Sequence, residues 1–149
     1  MAEIDETDME IVRMLEENGR IPFREIAERL DVSEGTVYNR VKRLQEENVI
    51  KGFSIRSDPM KLGRDLVAII GLRVYGGHLV EVEKEVAEHP GVRAVYDVTG
   101  DHDAILIIRF ETRAELNDFV KKLLSHKYVE RTSTYVVLNV VKEDMRTLT

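Results

Sequence analysis

The stretch SEGTVYNRVKRL, Ser33 to Leu44, decides the reading of the fold. A helix advances about 100° per residue, so with Val37 at zero Val41 falls at about +40° and Leu44 at about −20°, one apolar stripe. The same wheel puts Arg40 at about −60°, Thr36 at about −100°, Arg43 at about −120° and Asn39 at about −160°, a contiguous polar flank. Arginine can pair bidentately with guanine and asparagine with adenine, while threonine offers a hydroxyl to phosphate and a methyl to thymine. Ser33 is a good N-cap, and a helix N-terminus favours phosphate. Asn48, able to take a left-handed conformation, ends the helix.

Working toward the N-terminus, Ile11, Val12, Met14 and Leu15 recur at helical spacing within residues 5 to 18, and Asn18-Gly19 supplies a stop. Pro22 opens a second helix running to about Leu30, with Ile26, Ala27 and Leu30 as its apolar stripe. Asp31-Val32 is a short turn before the third helix. Helix, tight turn and exposed polar helix read as a helix-turn-helix. A solvated helix flank in a winged-helix module that binds protein is the competing reading.

Working toward the C-terminus, Val49 to Ile55 reads as a strand, broken by Ser57-Asp58-Pro59, and Met60 to Arg64 as a linker. The order then becomes strand Leu66 to Tyr75, helix Leu79 to His89, strands Val92 to Val98 and Ala104 to Phe110, helix Arg113 to Ser125 and strand Val129 to Val141. This βαββαβ order is that of the ferredoxin-like, ACT-like sandwich, with both helices on one face of an antiparallel sheet. The expected class is α+β, with a winged helix-turn-helix domain over 1–56, a linker over 57–65 and a ferredoxin-like domain over 66–149. Runs such as LVAII and AILII want burial on both strand faces, so the face without helices predicts a second copy of the chain.

The charge pattern agrees with local rather than general affinity for nucleic acid. The net charge is −6, and Met1 to Val32, with ten acids and four bases, holds the whole excess. Ser33 to Arg56 has five bases against three acids. A domain that docks by one helix needs positive charge only along that face. The chain has no cysteine, which removes disulfides and thiolate zinc sites and suits a reducing cytosol. The start MAEIDETDME lacks the basic, then apolar, pattern of a signal peptide, and no run reaches the ~20 apolar residues of a membrane span. A cytoplasmic protein without membrane attachment is expected.

The layout resembles the Lrp/AsnC family, the leucine-responsive or feast/famine transcriptional regulators of bacteria and archaea. The resemblance runs from Ile4 to about Lys142. It is carried by Ile4-Asp5 with Asp8, Gly19-Arg20, Ile26-Ala27 with Leu30, Val32-Ser33, Val37, Arg40-Val41 with Leu44, Val49-Ile50 with Gly52-Phe53, and Leu62-Gly63. In the second half, Thr99-Gly100-Asp101-His102-Asp103 before AILII resembles the family's Gly-Asp-aromatic-Asp loop, and Thr132 to Leu138 its closing strand. Asp31 stands where glycine is usual and His102 where an aromatic such as tyrosine is common.

The resemblance implies a homodimer built through the C-terminal sheets, often assembled into tetramers or octamers, that reads a pseudo-palindromic operator in double-stranded DNA. Base readout is expected from Thr36, Asn39, Arg40 and Arg43, and backbone contacts from Ser33, Lys42 and Lys51. It also implies an amino-acid effector between subunits at the loop Gly100, Asp101, His102 and Asp103, with Asp103 facing the ligand ammonium. Thr132, Ser133 and Thr134 are candidates from the last strand and Asp118 from the second helix, whereas a plain hairpin turn is the competing reading of the loop. No cofactor or metal is expected: the four histidines, His78, His89, His102 and His126, lack ligand spacing. Two other readings stay open. Haem-biosynthesis decarboxylases resemble the family in both domains and would use Arg73, Arg93 and Arg109 on tetrapyrrole carboxylates. A pure amino-acid sensor would show no salt-dependent DNA binding.

Overall fold

The computed structural model describes residues 3–148. The chain forms two compact units, one gathering residues up to Ser57 together with the segment from Lys142 onward, the other Asp58–Val141.

The first unit holds α1 (Glu6–Glu17), α2 (Phe23–Leu30) and α3 (Glu34–Glu46). Its core is Ile11 and Leu15 of α1, Ile26 and Ala27 of α2, and Val37 and Val41 of α3, with Ile21 between. Leu44, also fully buried, completes the stripe on α3. Removing each such aliphatic side chain from water contributes about 2 kcal/mol. The turn between α2 and α3 requires a left-handed residue, and Asp31 supplies it at φ 52°. Aspartate tolerates this region better than most residues, so glycine is dispensable there. Asn48 also lies in that region, at φ 57°.

The second unit is a four-stranded antiparallel sheet in the order β2-β3-β1-β4. Its strands are β1 (Leu66–Val74), β2 (Val92–Asp97), β3 (Ala104–Phe110) and β4 (Val129–Val136), with helices α4 (Leu79–Ala87) and α5 (Arg113–Ser125) between them. Ala68, Ile70, Leu72 and Val74 of β1 share one face with Ala104, Leu106, Ile108 and Phe110 of β3. Val82 and Val86 of α4 and Leu116, Phe119 and Leu123 of α5 close that face into a core. Ile69 of β1, Ile105 and Ile107 of β3, and Tyr96 and Tyr135 alternate onto the other face, which neither helix of this unit covers.

Three expectations are corrected. The strand expected over Val49 to Ile55 does not form. After Asn48 the backbone turns so that the N–H groups of Val49 and Ile50 both donate to Leu44 O, at 2.8 and 3.0 Å. β-forming side chains make a strand only where a neighbouring chain satisfies the backbone, and none pairs with this segment among the described residues. The last strand ends at Val136 rather than Val141, because β1, its only neighbour among the described residues, runs out at Leu66. Finally, residues from Lys142 onward, expected with the second domain, belong to the first unit. There Glu16 on α1 accepts the N–H groups of Thr147 and Leu148 at 2.8 and 2.9 Å, and Arg13 Nε donates to Leu148 O at 3.2 Å.

Candidate nucleic-acid and effector sites

The start of α1 is built around a buried charge. Asp5 is the N-cap and its Oδ1 accepts the N–H of Asp8 at 2.8 Å, while Asp8 Oδ2 accepts the N–H of Asp5 at 3.2 Å. This reciprocal arrangement satisfies two backbone donors that a helix start leaves over. Asp8 has no accessible surface. A carboxylate in that position must be paired, and both arginines of α3 come to it. Arg40 Nη1 donates to Asp8 Oδ1 at 2.9 Å and to Asp5 Oδ2 at 2.6 Å, and Arg43 Nη2 donates to Asp8 Oδ2. The Arg40 guanidinium, followed by the Asp8 N–H, holds the Asp5 carboxyl below its usual range. Asp5 and then Asp8 in turn hold the proton of Arg40 more firmly than usual.

The surroundings of α3 differ from the open flank that the wheel suggests. The wheel placed Arg40 and Arg43 on an open flank beside the apolar stripe, but that flank turns toward the start of α1. Their side chains are 29% and 35% exposed and engaged with carboxylates. The open face presents Gly35, Asn39 and Lys42 opposite Val37, Val41 and Leu44, with Tyr38 at its side. Tyr38 is 56% exposed, with its ring edge-on to Phe23 at 6.5 Å. Lys42 makes only a loose ion pair with Glu46 at 3.8 Å. Ser33 Oγ caps α3 by accepting the N–H of Thr36 at 3.0 Å, and lies 2.8 Å from its hydroxyl. Lys51 is exposed beyond the helix. The sequence reading missed Tyr38 on this face, although its angle of about +100° on the same wheel marks it as outward.

In the second unit the loop before β3 is pinned to β1. The Asp103 N–H donates to Leu72 O at 2.8 Å, its carbonyl accepts the Val98 N–H at 3.0 Å, and its carboxylate accepts the Val74 N–H at 2.8 Å. Asp103 is therefore first a structural clasp. Arg73 Nη1 donates to Asp101 O at 2.7 Å. The His102 ring lies on Gly71, where a Cβ would stand 2.3 Å from its Cδ2. Ser133 is the register partner of Gly71, so His102 and Ser133 share the sheet face without helices. Thr132 and Thr134 pair with Leu72 and Ile70 and so belong to the helix-covered side. Asp118 is exposed on α5, which also packs on that side. Within one chain the structure thus gathers Gly100, Asp101, His102, Asp103 and Ser133 but not Asp118, Thr132 or Thr134.

Among the described residues, no helix is long and apolar enough to cross a membrane and no group of three or more His, Asp or Glu is placed to hold a metal ion.

A helix-turn-helix joined to a ligand-binding sheet domain defines a DNA-binding transcriptional regulator. Residues 4–51 match the winged helix-turn-helix DNA-binding family, and residues 67–147 match the Lrp/AsnC ligand binding domain. The chain belongs to the Lrp/AsnC family. An uncharacterized HTH-type transcriptional regulator of Pyrococcus furiosus is 46% identical over 97% of both chains. The HTH-type transcriptional regulator FL11 of the same organism is 37% identical over 94% of this chain and 93% of its own. A transcriptional regulator of Neisseria meningitidis, solved as a complex with L-Met, superposes with a TM-score of 0.86 at 26% identity, covering 97% of this chain and 96% of that one.

Proposed function

We propose that this regulator reads a pseudo-palindromic operator as a dimer or larger assembly, with α3 in the major groove, and responds to a free amino acid. The observation that carries the DNA part is the open face of α3, where Asn39 and Lys42 are exposed and Tyr38, its ring edge-on to Phe23, keeps more than half its surface open. Asn39 and Thr36 read base edges, Tyr38 packs on the groove wall, and Ser33, Lys42 and Lys51 contact the backbone. Arg40 and Arg43 set the pose of α3 through Asp5 and Asp8. Assembly is supported by the uncovered sheet face with Ile69, Ile105, Ile107, Tyr96 and Tyr135, an apolar surface that a second copy would bury.

The amino-acid part rests on the matched ligand-binding domain and on the relative held with L-Met. Gly100, Asp101 and His102 would form the near wall, while Asp118, Thr132 and Thr134 take part only if another subunit supplies them. Selection of bound duplexes from a random DNA pool at physiological salt tests the reading. An enriched inverted repeat is expected. Binding that only fades with salt and enriches no sequence would overturn it.

A further inference from the structure

The uncovered sheet face carries one polar corner. Arg73 on β1 stands directly opposite Arg131 on β4, and two residues back along β1 the pair is Gly71 with Ser133. Two like charges set opposite each other in a ladder are destabilising unless something answers them. Neither arginine has a carboxylate partner among the described residues: Arg73 spends one N–H on Asp101 O, and Arg131 has none. His102, seated on Gly71 in the same corner, has its Nε2 buried with no hydrogen-bond partner. A buried polar atom left so costs free energy that a ligand could recover. Ser133 adds a hydroxyl beside it.

Two guanidinium groups, an imidazole and a hydroxyl on one face form a receptor for a carboxylate, which arginine takes bidentately. The neighbouring loop supplies the opposite sign through Asp101, which is exposed, and Asp103, whose carboxylate also holds the Val74 N–H. Resting on the amino-acid reading above, we propose that the effector is an acidic amino acid, aspartate or glutamate. Its side-chain carboxylate lies between Arg73 and Arg131 with His102 and Ser133, and its ammonium faces Asp101. Its α-carboxylate is left to the N–H groups of the loop from Gly100 to His102, which donate to no carbonyl among the described residues, so a neutral side chain would leave the two arginines unanswered and the site discriminates by charge rather than size.

The test is calorimetric titration of the full chain with L-aspartate, L-asparagine, L-glutamate, L-glutamine and L-methionine, repeated on Arg131→Gln and Arg73→Gln. We expect one acid to bind at least tenfold more tightly than its amide, with either substitution erasing that preference and leaving the assembly mass unchanged. Equal affinity for acid and amide, or a preference that survives both substitutions, overturns the proposal. Binding of L-methionine or an amide with no binding of either acid overturns it while the amino-acid reading stands; binding of none of the five overturns both. Should the substitutions instead dissociate the assembly and leave ligand affinities alone, the carboxylate belongs to a second copy of the chain and the proposal fails.

Discussion

Arg43 on α3 bonds the Oδ2 of Asp8 on α1, a carboxylate with no accessible surface, while Arg40 holds the other oxygen at 2.9 Å. Removing both arginines would strand the buried Asp8 carboxylate at a cost of about 3 kcal/mol, whereas Asp8→Ala leaves two guanidinium groups that are about a third exposed and should cost less. Urea unfolding should show a lower midpoint for Asp8→Ala, and Arg40→Ala and Arg43→Ala should each lose part of the same stability. A double-mutant cycle between Asp8 and Arg43 measures the coupling directly. Unchanged midpoints with lost base selectivity would return both arginines to the DNA surface.

Acid should loosen the same corner. Hydrogen bonding to Arg40 and to the Asp8 N–H lowers the folded-state pKa of Asp5 below its ordinary 3.8. The stabilisation is therefore fully present above that value and lost as pH falls through the depressed folded value. Asp5→Asn keeps an N-cap oxygen and removes the charge. Thermal midpoints followed from pH 6 downward, with pH about 4 as the reference carboxylate range, should fall less steeply for Asp5→Asn than for the parent. Parallel curves would refute the linkage.

On α3, Asn39→Ala should cost about 1 to 3 kcal/mol at the selected operator and little on scrambled duplex. Lys42→Ala should weaken both equally and reduce the salt slope by about 1. Fluorescence anisotropy across a salt series separates the two patterns. Base-selective loss from Lys42→Ala would mean that the helix sits differently in the groove.

Gly71 leaves room for the His102 ring, since a Cβ there would stand 2.3 Å from it. Gly71→Ala should therefore destabilise by about 1 to 3 kcal/mol through forced displacement of the ring. The double variant Gly71→Ala with His102→Ala should recover most of that loss. No recovery in differential scanning calorimetry would place the strain in the backbone instead.

Glu16 on α1 clasps the returning tail. Burial acts to raise the Glu16 carboxyl, but the Thr147 and Leu148 N–H groups outweigh it and the net shift is downward. Glu16→Ala should speed hydrogen exchange at Thr147 and Leu148 at least tenfold while the α1 amides keep their protection. Equal exchange in parent and variant would show that the clasp contributes nothing in solution.

Periodicity made most of the fold legible. The Val37, Val41, Leu44 stripe and the alternation in AILIIRF each appear in the structure where the pattern puts them. What failed depended on partners that periodicity does not encode. The segment Val49 to Ile55 has strand-forming side chains but no neighbouring strand, and Val137 to Val141 outruns the length of β1. A helical wheel gives the direction of Arg40 and Arg43 but not the identity of what lies there. The Asp5 and Asp8 spacing did mark a helix start with two acids, and two arginines three residues apart on a nearby helix were the available signal. In the effector loop, the sequence reading ranked Asp103 first, whereas the geometry makes it a backbone clasp and draws attention to His102.

The chain leaves the first unit after Ser57 and returns to it at Lys142, so both ends of the described chain belong to the same helical unit. Glu16 and Arg13 tie the returning segment to α1, the helix that begins at Glu6. A probe placed at Leu148, held by Glu16, therefore reports on the folding of the helical unit.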